Sequence, residues 1–311
     1  MKSPQWIDAA ALEPMQLSPR ESRAYAASAL ATVDVAISNG VRCAFSDPRA
    51  AERFAARYRH LRCWHPAQHF YASLDAGARP IFWRGDGTAF RWNGGPLPAS
   101  SVAFLADAVV TTLCFGSDAQ TVTFHAAALA ARDGAFALVG ASESGKSTTA
   151  LACALAGYGL YSDEFCRVGS AGVEPFPRAI NLRPGGTALL ARSAFAAPAL
   201  RRRLAARANA GWENAGYDDL FGSLAPPAAA PLRHVFRLAG KSERPAVRSS
   251  TRYEMLRHIA PHARVEARGG ERAVRLLDAL TGATCHELIL GTPDETVRAI
   301  AAVVGEPRGR S

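Results

Sequence analysis

The chain is poor in lysine. Of its 36 basic residues only Lys2, Lys146 and Lys241 are lysines, and the other 33 are arginines. With alanine also abundant, this composition carries the mark of GC-rich coding. The net charge of +9 therefore does not indicate nucleic acid by itself. The same scarcity makes an interior lysine informative. Long apolar runs are missing too: no stretch reaches the ~18 uncharged apolar residues of a membrane span. Residues 1–20 carry acids and prolines where a signal peptide would carry an apolar run, so a cytoplasmic location without a membrane partner is expected. There is no CxxC pair. The six cysteines (43, 63, 114, 153, 166 and 285) are scattered, which argues for free thiols in a reducing compartment rather than a disulfide framework. Cys63, His65 and His69 are neighbours in sequence, but they read as ordinary loop side chains rather than a metal cluster. No internal repeat is present.

What is there divides into two halves. At 311 residues, 49% of them hydrophobic, the chain has the length of about two domains and enough apolar content for sizeable cores. In residues 33–46 Val33, Val35 and Ile37 alternate with small or polar residues, Asn39-Gly40 intervenes, and Val41, Cys43 and Phe45 alternate again. That is a hairpin pattern, because a tight turn needs residues that accept positive φ. Pro48 opens a helix with Ala51, Phe54, Tyr58 and Leu61 at helical spacing. A second hairpin is expected at 81–92 around Gly85-Asp86-Gly87, and a buried helix over 101–115. Residues 1–115 thus read as an α+β domain of unassigned role without a catalytic constellation. Residues 116–311 read as the domain that carries the chemistry.

The second half opens with two expected strands, 124–131 and 135–140, joined by Arg132-Asp133-Gly134. Gly140-Ala141-Ser142-Glu143-Ser144-Gly145-Lys146-Ser147 follows and matches G-x-x-x-x-G-K-[ST] in full. In such a loop the glycines let the backbone turn so that successive N–H groups face phosphate oxygens. The following helix adds its positive end. Lys146 would reach the β- and γ-phosphates, Ser147 would ligate Mg²⁺, and Thr148 continues the binding segment. Glu143 is anomalous, since a carboxylate facing phosphate is unfavourable. It must point outward or contact metal or substrate.

A phosphate loop indicates a nucleotide, and a kinase also needs a carboxylate from another strand. Asp163 and Glu164 fill that place, in an expected strand over 159–169 one helix beyond the loop. This compact spacing favours a small kinase over a long ATPase. His125 begins the strand before the loop strand. A lone histidine there is ordinarily structural; the functional expectation puts it beside Asp163, whose charge would favour the imidazolium. Residues 192–225 are rich in alanine and arginine and form either a helix with a solvated basic face or a flap. Residues 285–291 read as a strand. Pro293 to Val304 read as a helix opened by Thr292-Pro293-Asp294-Glu295.

At these residues the chain resembles the catalytic domain of HPr kinase/phosphorylase, and more closely the HPr-kinase-related proteins of peptide-modification clusters, some of which phosphorylate a lasso-peptide precursor. The resemblance rests on His125 with the strand it opens, on Gly140 to Thr148, on Ser162-Asp163-Glu164-Phe165 and on Pro175-Phe176-Pro177-Arg178. It covers about 120–185 well and the first half hardly at all. It implies an α/β P-loop kinase domain with a mixed sheet and flanking helices. It also implies ATP on the loop, Asp163 as base toward a serine hydroxyl, and His125 interacting with that acid. HPr kinase usually has two aspartates at Asp163-Glu164 and a glycine at Glu143, and it carries an E-[IV]-R-G-[LI]-G signature not found at the corresponding place here.

The function expected is therefore an ATP- and Mg²⁺-dependent kinase acting on a hydroxyl of a peptide or small protein. Asp163, His125 and Lys146 are the catalytic set, and Ser147, Asp163 and Glu164 the metal set. Arg178 is a candidate phosphate or substrate contact. A non-catalytic ATP-binding sensor or scaffold is the alternative. An ABC- or AAA-type ATPase is disfavoured, since no LSGGQ-like segment is present. Nucleic acid binding through Arg201 to Arg203 is disfavoured too, and a homo-oligomer is compatible with the sequence.

Overall fold

The structure, a computed structural model, describes residues 12–307 except 38–39, 62–65, 67, 75–79, 85–87, 94–98, 117–120, 223–226, 266 and 268. Its contacts divide the chain into two compact units, Met1–Gly116 and Ser117–Ser311.

The first unit runs β1 (Leu12–Gln16), α1 (Pro19–Ala27), β2 (Ala31–Val35), β3 (Val41–Phe45), α2 (Pro48–Arg57), β4 (Gln68–Leu74), β5 (Pro80–Arg84), β6 (Thr88–Trp92) and α3 (Ala99–Gly116). The described strands form one sheet in the order β1-β6-β5-β4-β3-β2. Both expected hairpins are present: Val33 pairs with Cys43 across β2 and β3, and Phe82 with Phe90 across β5 and β6. Asn39 and the turn at Gly85-Asp86-Gly87 lie outside the described residues, as do Cys63 and His65. β3 and β4 run parallel because α2 supplies the crossover between them. Asp47 caps α2. Arg57 and Tyr58 at its end reach Asp107 on α3: the Arg57 Nε donates to Asp107 at 2.9 Å, and the Tyr58 hydroxyl donates to the other carboxylate oxygen. Sequence reasoning did not anticipate this buried clamp, nor β1 and α1.

The second unit runs β7 (Val122–Ala131), β8 (Gly134–Val139), α4 (Lys146–Ala156), β9 (Gly159–Ser162), β10 (Phe165–Gly169), β11 (Gly172–Glu174), β12 (Ile180–Leu182), α5 (Pro184–Leu190), α6 (Pro198–Ala206), β13 (Trp212–Ala215), α7 (Tyr217–Phe221), β14 (Leu232–Lys241), β15 (Ala246–Ser250), α8 (Arg252–Ile259), α9 (Gly269–Ala279), β16 (Thr284–Leu290) and α10 (Pro293–Val304). Its main sheet has the order β11-β10-β7-β8-β14-β16-β15, with β9 also on β7. β8, β14 and β16 are parallel, and their neighbours β7 and β15 are antiparallel to them. The sheet is mixed and the class is α/β with flanking helices.

Side-chain alternation sends the two faces of β8 to different cores. Phe136 and Leu138 join α4 and α10 through Leu151 and Ile300. Ala135, Ala137 and Val139 join α8 and α9 through Met255, Ile259 and Leu276. α4 has buried residues nearly all round, as a helix between a sheet and other helices requires. Within the Ala/Arg-rich stretch the described residues form α6, β13 and α7: α6 buries Leu200 and Leu204, and the Arg203 and Arg207 guanidiniums lie over the Trp212 ring at 4.9 and 4.5 Å.

One expected element is corrected. Residues 159–169 are not a single strand. β9 and β10 both pair with β7, and Asp163-Glu164 form a bend between them. The Ser162 hydroxyl accepts from the N–H groups of Glu164 and Phe165 at 3.2 and 3.1 Å. This local bonding competes with continuation of the ladder.

Candidate active site

The loop between β8 and α4 is built by its glycines. A Cβ at Gly140 would lie 2.6 Å from the Ser144 Oγ, and one at Gly145, where φ is 103°, would lie 2.9 Å from the Leu290 side chain. No side chain caps the N-terminus of α4, whereas α1, α8 and α10 each carry a Ser or Thr capping box with Glu. The Ser144 Oγ is buried without a hydrogen-bond partner among the described residues. An uncapped helix start, a cradle that a Cβ would fill and an orphaned hydroxyl suit an anion with several acceptor oxygens.

Lys146 is 7% exposed. Its ammonium donates to the carbonyls of Gly140 at 2.6 Å and Ala141 at 3.0 Å. Burial pushes its pKa down to about 8, and the charge of Asp163 pulls it upward. The Asp163 carboxylate therefore acts on Lys146 from the β9–β10 bend, and it is itself buried. Ser147 is half-buried in the first turn of α4.

His125 departs from expectation in sign. It pairs in register with Phe165, two residues beyond Asp163. Its pKa is lowered to about 3, by burial first and then by Lys146, Arg264, His262 and Arg178. Burial first, and the neighbouring groups second, disfavour the imidazolium that a carboxylate would favour.

The Arg178 side chain is 2% exposed and pairs with Glu164, and its guanidinium lies 4.9 Å from the Phe165 ring centroid. Arg264 lies over the same ring at 5.1 Å, and Phe176 packs edge-on to it at 5.8 Å. Arg178 is thus buried against Glu164 and Phe165 at the Asp163 bend. Glu164 in turn pairs with Arg178. Among the described residues no group of three or more His, Cys, Asp or Glu converges on a metal position. A nucleotide-bound Mg²⁺ asks less, since phosphates and waters supply most of its oxygens. The oxygens of Ser147 and Asp163 fit that demand.

Glu143 points outward and pairs with Arg183, which precedes α5. Its backbone is left-handed, with φ of 65°, a conformation cheapest for glycine. A Cβ on Gly186 in the first turn of α5 would lie 2.7 Å from the Thr148 hydroxyl, so α5 sits directly against the start of α4. Sequence reasoning missed Arg183, and it missed Tyr217. The Tyr217 phenol is held well above its ordinary pKa by burial first and the Asp163 charge second. A cavity of about 230 Å³ also opens beside Gly140 and Ala141. No local pattern marks these residues; they converge from distant segments.

The chain matches no known family model and no curated protein. No helix among the described residues is long and apolar enough to cross a membrane.

Proposed function

We propose that residues 117–311 form an ATP- and Mg²⁺-dependent kinase unit of the HPr kinase type that phosphorylates a hydroxyl, serine in the first instance, on a peptide or small protein. The observation that carries this reading is the coupling of Lys146 to Asp163. One buried cation on a phosphate-type loop feels one buried carboxylate from a neighbouring bend. Phosphoryl transfer needs chiefly positioning and electrostatics, and this pair offers both.

In this reading Lys146 and the N–H groups of the loop hold the nucleotide phosphates. Mg²⁺ neutralises phosphate charge when bound, with Ser147 and Asp163 offering it oxygens. Asp163 takes the proton from the acceptor hydroxyl as its oxygen bonds to the terminal phosphorus and the bond to the ADP oxygen breaks. Neutral His125 gives the Asp163 bend a packed, uncharged neighbour on β7. Glu164 and Arg178 fix the bend from behind.

The second reading, an ATP-binding sensor without transfer, draws on the engagement of Glu164 by Arg178 and on the acid at Glu143 in the loop. Incorporation of label from ATP into a serine-containing peptide separates the two. Asp163→Asn is expected to keep nucleotide binding and lose transfer. Full activity of that variant would remove Asp163 as the base.

A further inference from the structure

The cavity beside the loop lies at the carboxyl ends of the parallel strands β8 and β14, the place where open α/β sheets commonly take ligands. Four apolar side chains form part of its lining, and its polar lining is the start of the loop at Gly140 and Ala141 together with His125, Arg237, His258 and His262. No carboxylate lines it among the described residues. His258 stands in the last turn of α8 and His262 in the turn that follows, both exposed at the rim.

His125 is depressed by burial and then by Lys146, Arg264, His262 and Arg178. His258 is depressed by burial and then by Arg237 and Arg257, with Glu287 and Glu254 opposing. Arg237 is ion-paired with Glu287, and the imidazoles of His125, His258 and His262 offer ring nitrogens that can donate to an oxyanion entering the space. The imidazoles do not converge as a metal cluster. At about 230 Å³ the space falls below the roughly 300–1,000 Å³ of pockets that take drug-sized ligands. It has room for a carboxylate side chain or a single phosphate, not for a nucleoside.

We propose that this cavity is an oxyanion subsite that receives an acidic side chain of the acceptor peptide next to the phosphate loop. The peptide assignment rests on the kinase reading above, because that reading brings an acceptor to Gly140 and Ala141. The chemistry of the pocket does not depend on transfer. A free phosphate ion shares it, and the experiment separates the two sources.

The full-length protein is titrated, by fluorescence anisotropy, with a labelled serine peptide flanked by Asp and Glu, and with its Asn/Gln counterpart. Inorganic phosphate is titrated in parallel. The acidic peptide is expected to bind at least tenfold more tightly than the amide peptide. The His258→Gln/His262→Gln double variant is expected to lose about tenfold for the acidic peptide alone, the scale of one or two charge-assisted hydrogen bonds. Both histidines are exposed, and each single variant, checked by thermal unfolding, guards against a folding defect. Equal binding of the two peptides, or an unchanged double variant, overturns the proposal. Phosphate binding that the double variant loses, without acidic-peptide preference, overturns the peptide assignment. A fluorescent ATP analogue is titrated on the same samples. If it binds and peptide preference is absent, the subsite fails while the nucleotide site stands. If peptide preference is present and no phosphate is transferred, the subsite stands and the kinase reading fails.

Discussion

Arg183, at the entry to α5, forms an ion pair with Glu143, in the middle of the loop that opens α4. Both side chains are largely exposed, at 49% and 61%, so the pair adds little stability. Its interest is positional: it turns the one loop carboxylate away from the space that a phosphate would need.

Two substitutions at Glu143 separate backbone from charge. Glu143→Gly and Glu143→Ala both remove the carboxylate, but only glycine relaxes the left-handed φ. The glycine variant is expected to be more stable than the alanine variant by about 1 kcal/mol in urea unfolding. Glu143→Gln should raise affinity for a nucleotide triphosphate by a few-fold at low salt, and added salt should erase the gain.

Lys146 yields a prediction with a defined sign. Its pKa of about 8 lies below its ordinary value, so the unfolded chain holds this proton more tightly than the folded one between about pH 8 and the ordinary lysine range. Stability from this group therefore rises with pH across that window. Lys146→Met removes the buried charge, and any stability advantage it has over the parent protein at neutral pH should shrink as pH rises through the window. Nucleotide affinity should be flat below pH 8 and weaken above it in the parent protein, with no such break in Lys146→Met. Asp163→Asn should move the break to lower pH, because Asp163 is what holds the lysine value up.

His125 titrates near pH 3, below its unfolded value. The unfolded chain therefore binds the extra proton between about pH 3 and 6.5, and stability is lost as pH falls through that interval. His125→Phe should flatten this part of the acid-unfolding profile. In the parent protein, NMR titration should find the ring neutral at pH 5; a ring that titrates near pH 7 would contradict the cationic surroundings described above.

In the first unit, Asp107 is 3% exposed and accepts from both Arg57 and Tyr58. Asp107→Ala leaves a buried guanidinium without its carboxylate and should cost about 3–5 kcal/mol. Replacing Arg57 and Asp107 together by Met and Leu should recover much of that loss. Chemical denaturation of the single and double variants checks the contrast.

The parts legible in the sequence were those whose physics is local. The β8–loop–α4 unit follows from a short apolar run, two glycines and an alanine-rich helix. α10 follows from Thr292, Pro293 and Glu295, and Thr292 caps it as read. The hairpins follow from alternation over a few residues. The break at Asp163 is local too, but a serine hydroxyl competing with the ladder leaves a weaker mark than a glycine or a proline, and the two strands read as one.

Charge states and side-chain partners needed the assembled chain. The imidazolium of His125 is disfavoured by burial first, and then by Lys146, Arg264, His262 and Arg178, which are far apart in sequence. Arg178 is buried because Glu164 and Phe165 meet it at the bend. Arg183, Tyr217, His258 and His262 carry no pattern of their own. A backbone preference is set within a few residues, whereas burial and field sum over every residue that folding brings near. The sequence could therefore name Lys146 as the informative lysine, but its depressed pKa comes from burial, and the pull of Asp163 exists only once β9 and β10 have docked on β7.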